Sequence, residues 1–247
     1  MEQWVEGKVV EKRRWNDRLY SLRFEAKVEP FSAGQFTRLA LEIDGERVAR
    51  PYSFVNPPHD QLLEIYFNEV VDGPLSPRLA ALQPGDHLWV SARPNGFFTL
   101  DEIPDSENLW MIATGTALGV YLSILRTTES WERFRHLLLV HNAPTRDHLS
   151  YREEISALQD AHGSHFRYLP ITSRENNEGI LNGRILAALE DGRLERQAGL
   201  TLSAENSHVM LCGNINMIKE VSAVLETRGM RKHRRKEPGH ITTEKYH

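Results

Sequence analysis

The fold turns on the reading of Asn108-Leu109-Trp110-Met111-Ile112-Ala113-Thr114-Gly115-Thr116-Ala117-Leu118-Gly119-Val120-Tyr121-Leu122-Ser123-Ile124-Leu125, eighteen residues without a charge. Such a run is at the lower limit for a membrane span, and Thr114-Gly115-Thr116 and Gly119 interrupt it. An apolar strand over Leu109–Ala113, a tight turn and a buried helix from Ala117 to Arg126 account for it better. In a parallel sheet such a turn lies at the carboxyl end of a strand, where ligands bind and a pyrophosphate can be cradled. The turn is not G-x-G-x-x-G, so a generic strand-to-helix turn is the competing reading.

Downstream the pattern repeats. Leu137–His141, Phe166–Thr172 and His208–Cys212 read as buried strands. A helix opened by Ser150 and running through Leu158, a short one over Ile185–Glu190 and a long amphipathic one over Met217–Thr227 lie between or after them. Apolar strands alternating with helices imply a parallel sheet covered on both faces. Upstream the period is two. Lys8–Lys12, Leu19–Ala26, Gln35–Ile43, Arg47–Val55, Leu62–Val70 and His87–Ala92 are short β-rich runs between Gly, Pro, Asn and Asp turn signals. Asp44-Gly45 supplies the positive φ angles of a tight hairpin. Ser76 as N-cap and Pro77 at the first helical position predict one short helix over Arg78–Leu82. The fold class expected is therefore two-domain: an antiparallel β-barrel over residues 1–100, then an α/β parallel-sheet nucleotide-binding domain over 101–247. The acidic, Pro104-containing segment Phe98–Glu107 is the join.

Of the 247 residues, 30 are Lys or Arg and 34 are Asp or Glu, a formal balance of −4 that suggests neither a nucleic-acid binder nor a membrane-surface protein. The one cysteine, Cys212, excludes an intrachain disulfide framework, an all-cysteine zinc site and a four-cysteine iron–sulfur cluster. A lone thiol and an N-terminus without an apolar core fit a cytoplasmic protein, and no metal site is expected.

Four short motifs carry chemistry. Arg50-Pro51-Tyr52-Ser53 offers a guanidinium for phosphate, a ring for a planar heterocycle and a small hydroxyl against its edge. Asp72-Gly73-Pro74-Leu75-Ser76 lets backbone approach a ligand at a helix start. Cys212-Gly213-Asn214 follows a strand in the same topological place as the Thr114-Gly115-Thr116 turn. Cys212 is either a buried small residue or a neighbour of a ring reaching that edge. Arg174 and Arg184, with Arg146 as a third, could clamp an adenosine 2′-phosphate or simply be solvated. Finally, Arg228–Lys236 holds Arg228, Arg231, Lys232, Arg234, Arg235 and Lys236 without an acid. It is either a solvated helix end and strand edge or a docking patch for an acidic partner.

In order and spacing, these motifs resemble the ferredoxin/flavodoxin–NADP⁺ reductase family, compact bacterial type. The likeness extends through Pro84-Gly85-Asp86, Gly96-Phe97-Phe98 and the ending Pro238-Gly239-His240 through Tyr246. The sequence departs from the family at Val120, where a Pro is usual, and around Pro144, with Arg146 shifted. It departs also at His247, where close relatives carry an aromatic that can stack on the FAD adenine. The resemblance implies an FAD-binding barrel and an NADP-binding α/β domain whose C-terminal tail covers the flavin. It implies hydride transfer between nicotinamide and flavin, with single electrons exchanged with ferredoxin or flavodoxin. Arg50, Gly73, Leu75, Ser76 and His247 would then hold FAD, with Tyr52 packed on the isoalloxazine and Ser53 near its N5. NADP(H), the cosubstrate, would sit on Thr114, Gly115, Thr116, Cys212 and Gly213, with Arg146, Arg174 and Arg184 toward the 2′-phosphate. Tyr246 would cover the flavin and gate hydride transfer, so Tyr52, Ser53, Cys212 and Tyr246 form the expected catalytic set in a monomer. The alternatives are a reductase using flavin as a dissociable substrate and a non-catalytic flavin-binding subunit.

Overall fold

Residues 3–246 are described by the structure, a computed structural model. By its internal contacts the chain falls into two units. One runs to Leu100 and takes in Gly119–Thr127. The other comprises Asp101–Leu118 and the described residues from Thr128 onward.

The first unit contains β1 (Trp4–Arg14), β2 (Leu19–Glu25), β3 (Phe36–Ile43), β4 (Glu46–Ser53), β5 (Leu63–Asn68), α1 (Ser76–Ala81) and β6 (His87–Ser91). The strands form one antiparallel sheet in the order β4-β3-β6-β1-β2-β5. Its two edge strands are joined beyond the end of β4 by the bridge Phe54↔Ile65 and by Val55 N–H donating to the Glu64 carbonyl at 2.9 Å. Curling the sheet in this way pairs backbone that a flat sheet would leave open at its edges. β1 is longer than its apolar pattern predicts because it serves two neighbours. Trp4–Lys8 pairs with β6 and Lys8–Arg14 with β2, with a register shift between Val9 and Glu11. The Asp44-Gly45 turn has φ of 52° and 83°, as its hairpin requires. Inward side chains, among them Leu22, Phe24, Leu39, Phe54, Ile65, Leu75, Leu79 and Val90, make the core.

The start of α1 differs from the expectation. Its N-cap is Leu75, with helical φ and ψ, and Ser76 is already within the helix. The Ser76 hydroxyl does not cap; it accepts the Val70 N–H at 2.9 Å and closes the loop that precedes the helix.

The second unit contains β7 (Asn108–Thr114), the start of α2 (Leu118–Leu125), α3 (Thr128–Arg133), β8 (His136–Ala143), α4 (Arg152–His162), β9 (Phe166–Thr172), β10 (Leu181–Asn182), α5 (Ile185–Glu190), α6 (Arg193–Ala198), β11 (Ser207–Asn214), α7 (Ile215–Thr227) and β12 (Ile241–Tyr246). All six strands are parallel, in the order β10-β9-β8-β7-β11-β12. β7 is buried from Asn108 through Ala113, as a central strand covered on both faces must be. One face packs Trp110, Ile112, Leu138, Val140, Leu169 and Leu211 against α5, α6 and α7. α4 begins at Arg152, not at Ser150. Ser150 is buried, and Tyr151 precedes the helix in the left-handed region (φ 58°). α2 does not pack as one piece. From Gly119 its contacts belong to the first unit, where Ser123 Oγ donates to the Asn56 carbonyl at 2.8 Å. Arg126 there reaches the Val55 carbonyl and the Glu64 carboxylate at 2.9 and 2.8 Å. No helix among the described residues is long and apolar enough to cross a membrane.

Candidate functional site

In the first unit, Arg50, Tyr52 and Ser53 lie at the carboxyl end of β4. The Arg50 guanidinium donates only to the neighbouring Ala49 carbonyl at 2.7 Å, and no acid pairs with it among the described residues. Tyr52 is half-buried, edge-on to Phe67 at 6.0 Å, and burial pushes its phenol up to about 12. A phenol that stays protonated beside an unpaired guanidinium is a donor set suited to a pyrophosphate and a flat heterocycle. Gly73 is half-buried in the loop before α1. The Leu75 side chain points into the barrel core and is 1% exposed, so only its backbone could meet a ligand.

In the second unit the carboxyl ends of the strands carry the remaining predicted residues. Gly213 has φ of +123°, and a Cβ there would lie 2.1 Å from Thr114 Oγ1. Only glycine allows β11 to run this close to β7, and Thr114 Oγ1 accepts the Asn214 N–H across the gap at 2.8 Å. Gly115 has φ of +56° and its Cβ direction is open, followed by one 3₁₀ turn over Gly115–Ala117. A half-exposed turn with an open face on one side of the closely packed strand ends fits a pyrophosphate.

Arg146, Arg174 and Arg184 come from three successive loops that the backbone ties together. Arg174 N–H donates to the Pro144 carbonyl at 2.8 Å, and Arg146 N–H to the Glu175 carboxylate at 3.0 Å. The Asn142 amide reaches the Gly183 carbonyl at 3.3 Å. All three arginines are exposed, and no acid forms an ion pair with any of them among the described residues. Glu175, the residue after Arg174, proves to be the clasp of these loops. The Arg146 N–H and the Asn177 amide hold its carboxyl below the usual range.

The strand registers place Pro170, His141, Ala113, Cys212 and Glu244 in one row across β9, β8, β7, β11 and β12. Cys212 is fully buried, and burial with the neighbouring Glu244 pushes its thiol well up, so it is no thiolate. Glu244 Oε2 lies 4.0 Å from its sulfur, and desolvation raises the carboxyl to about 7. Tyr246 ends the same strand, opposite Asn214, with its hydroxyl bonded to Cys212. The chain's C-terminal segment is thus an edge strand of the sheet. Glu244 escaped sequence reading because an isolated acid in a polar ending carries no pattern. His247 lies outside the described residues.

The cationic segment is less open than its sequence. Arg228 is engaged within its own unit: its guanidinium, partly buried, ties the Glu195 carboxylate at 2.9 Å and the Leu189 carbonyl at 3.0 Å. Lys232 pairs with Glu226 at 3.4 Å, Arg234 with Glu237 at 3.9 Å, and Arg235 with Glu102. Arg231 and Lys236 have no acid partner among the described residues.

Residues 7–99 match the oxidoreductase FAD-binding domain and residues 111–223 the oxidoreductase NAD-binding domain. The chain is 51% identical over its whole length to the whole of the flavodoxin/ferredoxin–NADP reductase of Escherichia coli. It belongs to the flavodoxin/ferredoxin–NADP reductase family. The Pseudomonas aeruginosa ferredoxin–NADP reductase is 32% identical, covering 96% of this chain and 95% of its own. A crystal structure of a ferredoxin NADP⁺ reductase from Neisseria gonorrhoeae with bound FAD and NADP superposes with a TM-score of 0.94 at 29% identity, covering 99% of each chain. A flavohemoglobin from Malassezia yamatoensis, at 20% identity and a TM-score of 0.81, shares the fold over 99% of this chain and 60% of its own. The FAD-binding match thus falls on the barrel unit and the NAD-binding match on the parallel-sheet segment.

Proposed function

We propose that this reductase passes electrons between NADP(H) and ferredoxin or flavodoxin through tightly held FAD. The observation that carries the reading is the 51% identity to a flavodoxin/ferredoxin–NADP reductase along the full length of both chains. Bound FAD supplies the conversion between a two-electron hydride and single electrons. The protein's own groups bind and orient. Arg50 and the backbone around Gly73–Ser76 hold the FAD pyrophosphate, while Tyr52 and Ser53 line its ring. Thr114, Gly115, Thr116 and Gly213 seat the NADP pyrophosphate and nicotinamide ribose, and Arg146, Arg174 and Arg184 take the 2′-phosphate, favouring NADP(H) over NAD(H). Glu244 keeps a proton at its carboxyl up to about pH 7 beside Cys212, and Tyr246 must yield for the nicotinamide to reach the flavin. The barrel unit carries FAD and the sheet unit NADP, with domains at 1–100 and 101–247. The chain acts as a cytoplasmic monomer, and Arg231 and Lys236 are the cations of the original patch left free to steer an acidic carrier.

The test is anaerobic. The purified protein should carry about one FAD per chain, which NADPH bleaches and NADH bleaches far more slowly. Reduced enzyme should then reduce ferredoxin or flavodoxin. Loss of FAD on gel filtration would favour the flavin-as-substrate reading, and a flavin that NADPH leaves yellow would defeat the proposal. Tyr246→Ala that alters neither NADP⁺ affinity nor the bleaching rate would remove the gating role.

A further inference from the structure

His141 is a buried polar residue on a sheet face lined below it by Met111, Leu137 and Leu139. It lies beside Ala113, directly below the Gly115 turn. Its Nε2 is 3.1 Å from the Gly115 carbonyl oxygen and its Nδ1 is 3.3 Å from the Tyr168 hydroxyl. A carbonyl can only accept, so Nε2 carries the proton and donates. Nδ1 is then bare, and the Tyr168 hydroxyl donates to it. One tautomer is thus dictated by its partners, and burial holds the ring neutral, with its pKa lowered to about 4.

We propose that His141 is a positioning residue for the pyridine-nucleotide pyrophosphate, acting by pinning the peptide plane between Gly115 and Thr116. The peptide is trans, so its C=O and N–H point in opposite directions. Drawing the Gly115 carbonyl down onto the buried imidazole turns the Thr116 N–H away from the sheet, to the open side of the turn. The Leu118 N–H also reaches the Gly115 carbonyl, but from within the same turn, so it leaves the turn's orientation against the sheet undetermined. Gly115, at φ +56°, has little stiffness of its own to resist rotation of this plane. His141 supplies the missing anchor from β8, and Tyr168 anchors His141 from β9. An N–H aimed in advance at an anion binds it without an ordering cost.

The inference rests on the Thr114–Thr116 seat proposed above, so the experiment separates the two. Binding of NADP⁺ and of adenosine 2′-monophosphate, which lacks the pyrophosphate, is measured by calorimetry on oxidised FAD-loaded protein. His141→Leu should weaken NADP⁺ about fivefold or more, the worth of one hydrogen bond, and leave adenosine 2′-monophosphate unchanged. His141→Gln, whose amide N–H reaches as far as Nε2, should restore most of the affinity. Tyr168→Phe should lose about twofold, a fraction of one hydrogen bond. Gly115→Ala, which places a methyl on the open side of the turn, tests the seat. If Gly115→Ala weakens NADP⁺ and His141→Leu does not, the positioning role is wrong and the seat stands. If neither weakens it, both fall. Equal weakening of the two ligands by His141→Leu means general disruption of the unit and overturns the inference. Should His141→Leu not fold, His141→Asn, too short to reach Gly115, is compared with His141→Gln under the same criteria.

Discussion

Replacing Glu244 by Gln should make the protein more stable at neutral pH, and by an amount that grows with pH. The carboxyl is partly buried beside Cys212, desolvation is the cause of its shift, and the pKa rises from 4.5 to about 7. A folded-state value above the unfolded one means that the folded protein holds the proton more tightly. Between these two values stability therefore falls as pH rises, and above about pH 7 the loss is complete. From pH 5 to pH 8 the shift amounts to a loss of about 2–3 kcal/mol, an upper limit because water reaches part of the side chain. Gln has nearly the same shape and no charge, so the variant lacks this slope. His141 and His208 also titrate, with pKa values lowered by burial to about 4 and about 3, and they add stability as pH rises through their own window. Both are present in each protein, so the difference between the two proteins cancels them. The assay is urea unfolding with excess FAD at half-unit steps from pH 5 to pH 8. The difference, variant minus parent, should rise with pH and level off above about pH 7. A flat difference would show that Glu244 is solvated or paired and holds no proton at neutral pH.

Gly213→Ala would force a Cβ to 2.1 Å from Thr114 Oγ1 at φ +123°. It should cost about 2–4 kcal/mol in urea unfolding and weaken NADP⁺ binding; an unchanged midpoint would mean that the strands can separate freely. Arg126→Met removes the guanidinium that pairs with the Glu64 carboxylate, whose side chain is 10% exposed. A loss of about 3 kcal/mol is expected, with partial recovery when Glu64→Gln is added. Arg228→Ala should lower stability by about 1–3 kcal/mol, because it leaves the Glu195 carboxylate and the Leu189 carbonyl short of a partner. It should leave the salt dependence of carrier reduction unchanged, whereas Arg231→Ala with Lys236→Ala should flatten that dependence. The opposite assignment would restore Arg228 to the docking surface.

The change of period near residue 100 was legible because it reflects two kinds of burial. β1 alternates exposed and buried from Glu6 to Val10 along the barrel, while β7, β8 and β11 are buried on both sides. What escaped is what lacks that signature. α3, Thr-Glu-Ser-Trp-Glu-Arg, has no apolar stripe, and β12 is an edge strand with every second residue facing water. The division of α2 between units was invisible because it depends on tertiary partners, Asn56 and Glu64, more than fifty residues upstream. Ser76 departs from the N-cap expectation for a related reason. Capping and loop closure ask the same thing of a hydroxyl, and only the position of the Val70 N–H decides between them.

The site itself was legible wherever backbone geometry demanded a residue type, and not where a side chain acts through tertiary position. Gly213 and Gly115 are needed by a close approach and by a positive φ, and both appear in the sequence as glycine after a strand. Glu244 and His141 have no such mark. Each is an ordinary residue until the parallel register sets it in the row with Ala113 and Cys212. The same register explains the end of the chain. Pairing of Glu244 with Cys212 and of Tyr246 with Asn214 carries a carboxyl and a phenol to the edge where Gly213 brings β11 against Thr114. An aromatic on a free tail would have to be ordered each time it covered a ring. On a strand hydrogen-bonded to β11, that ordering is already met by the fold.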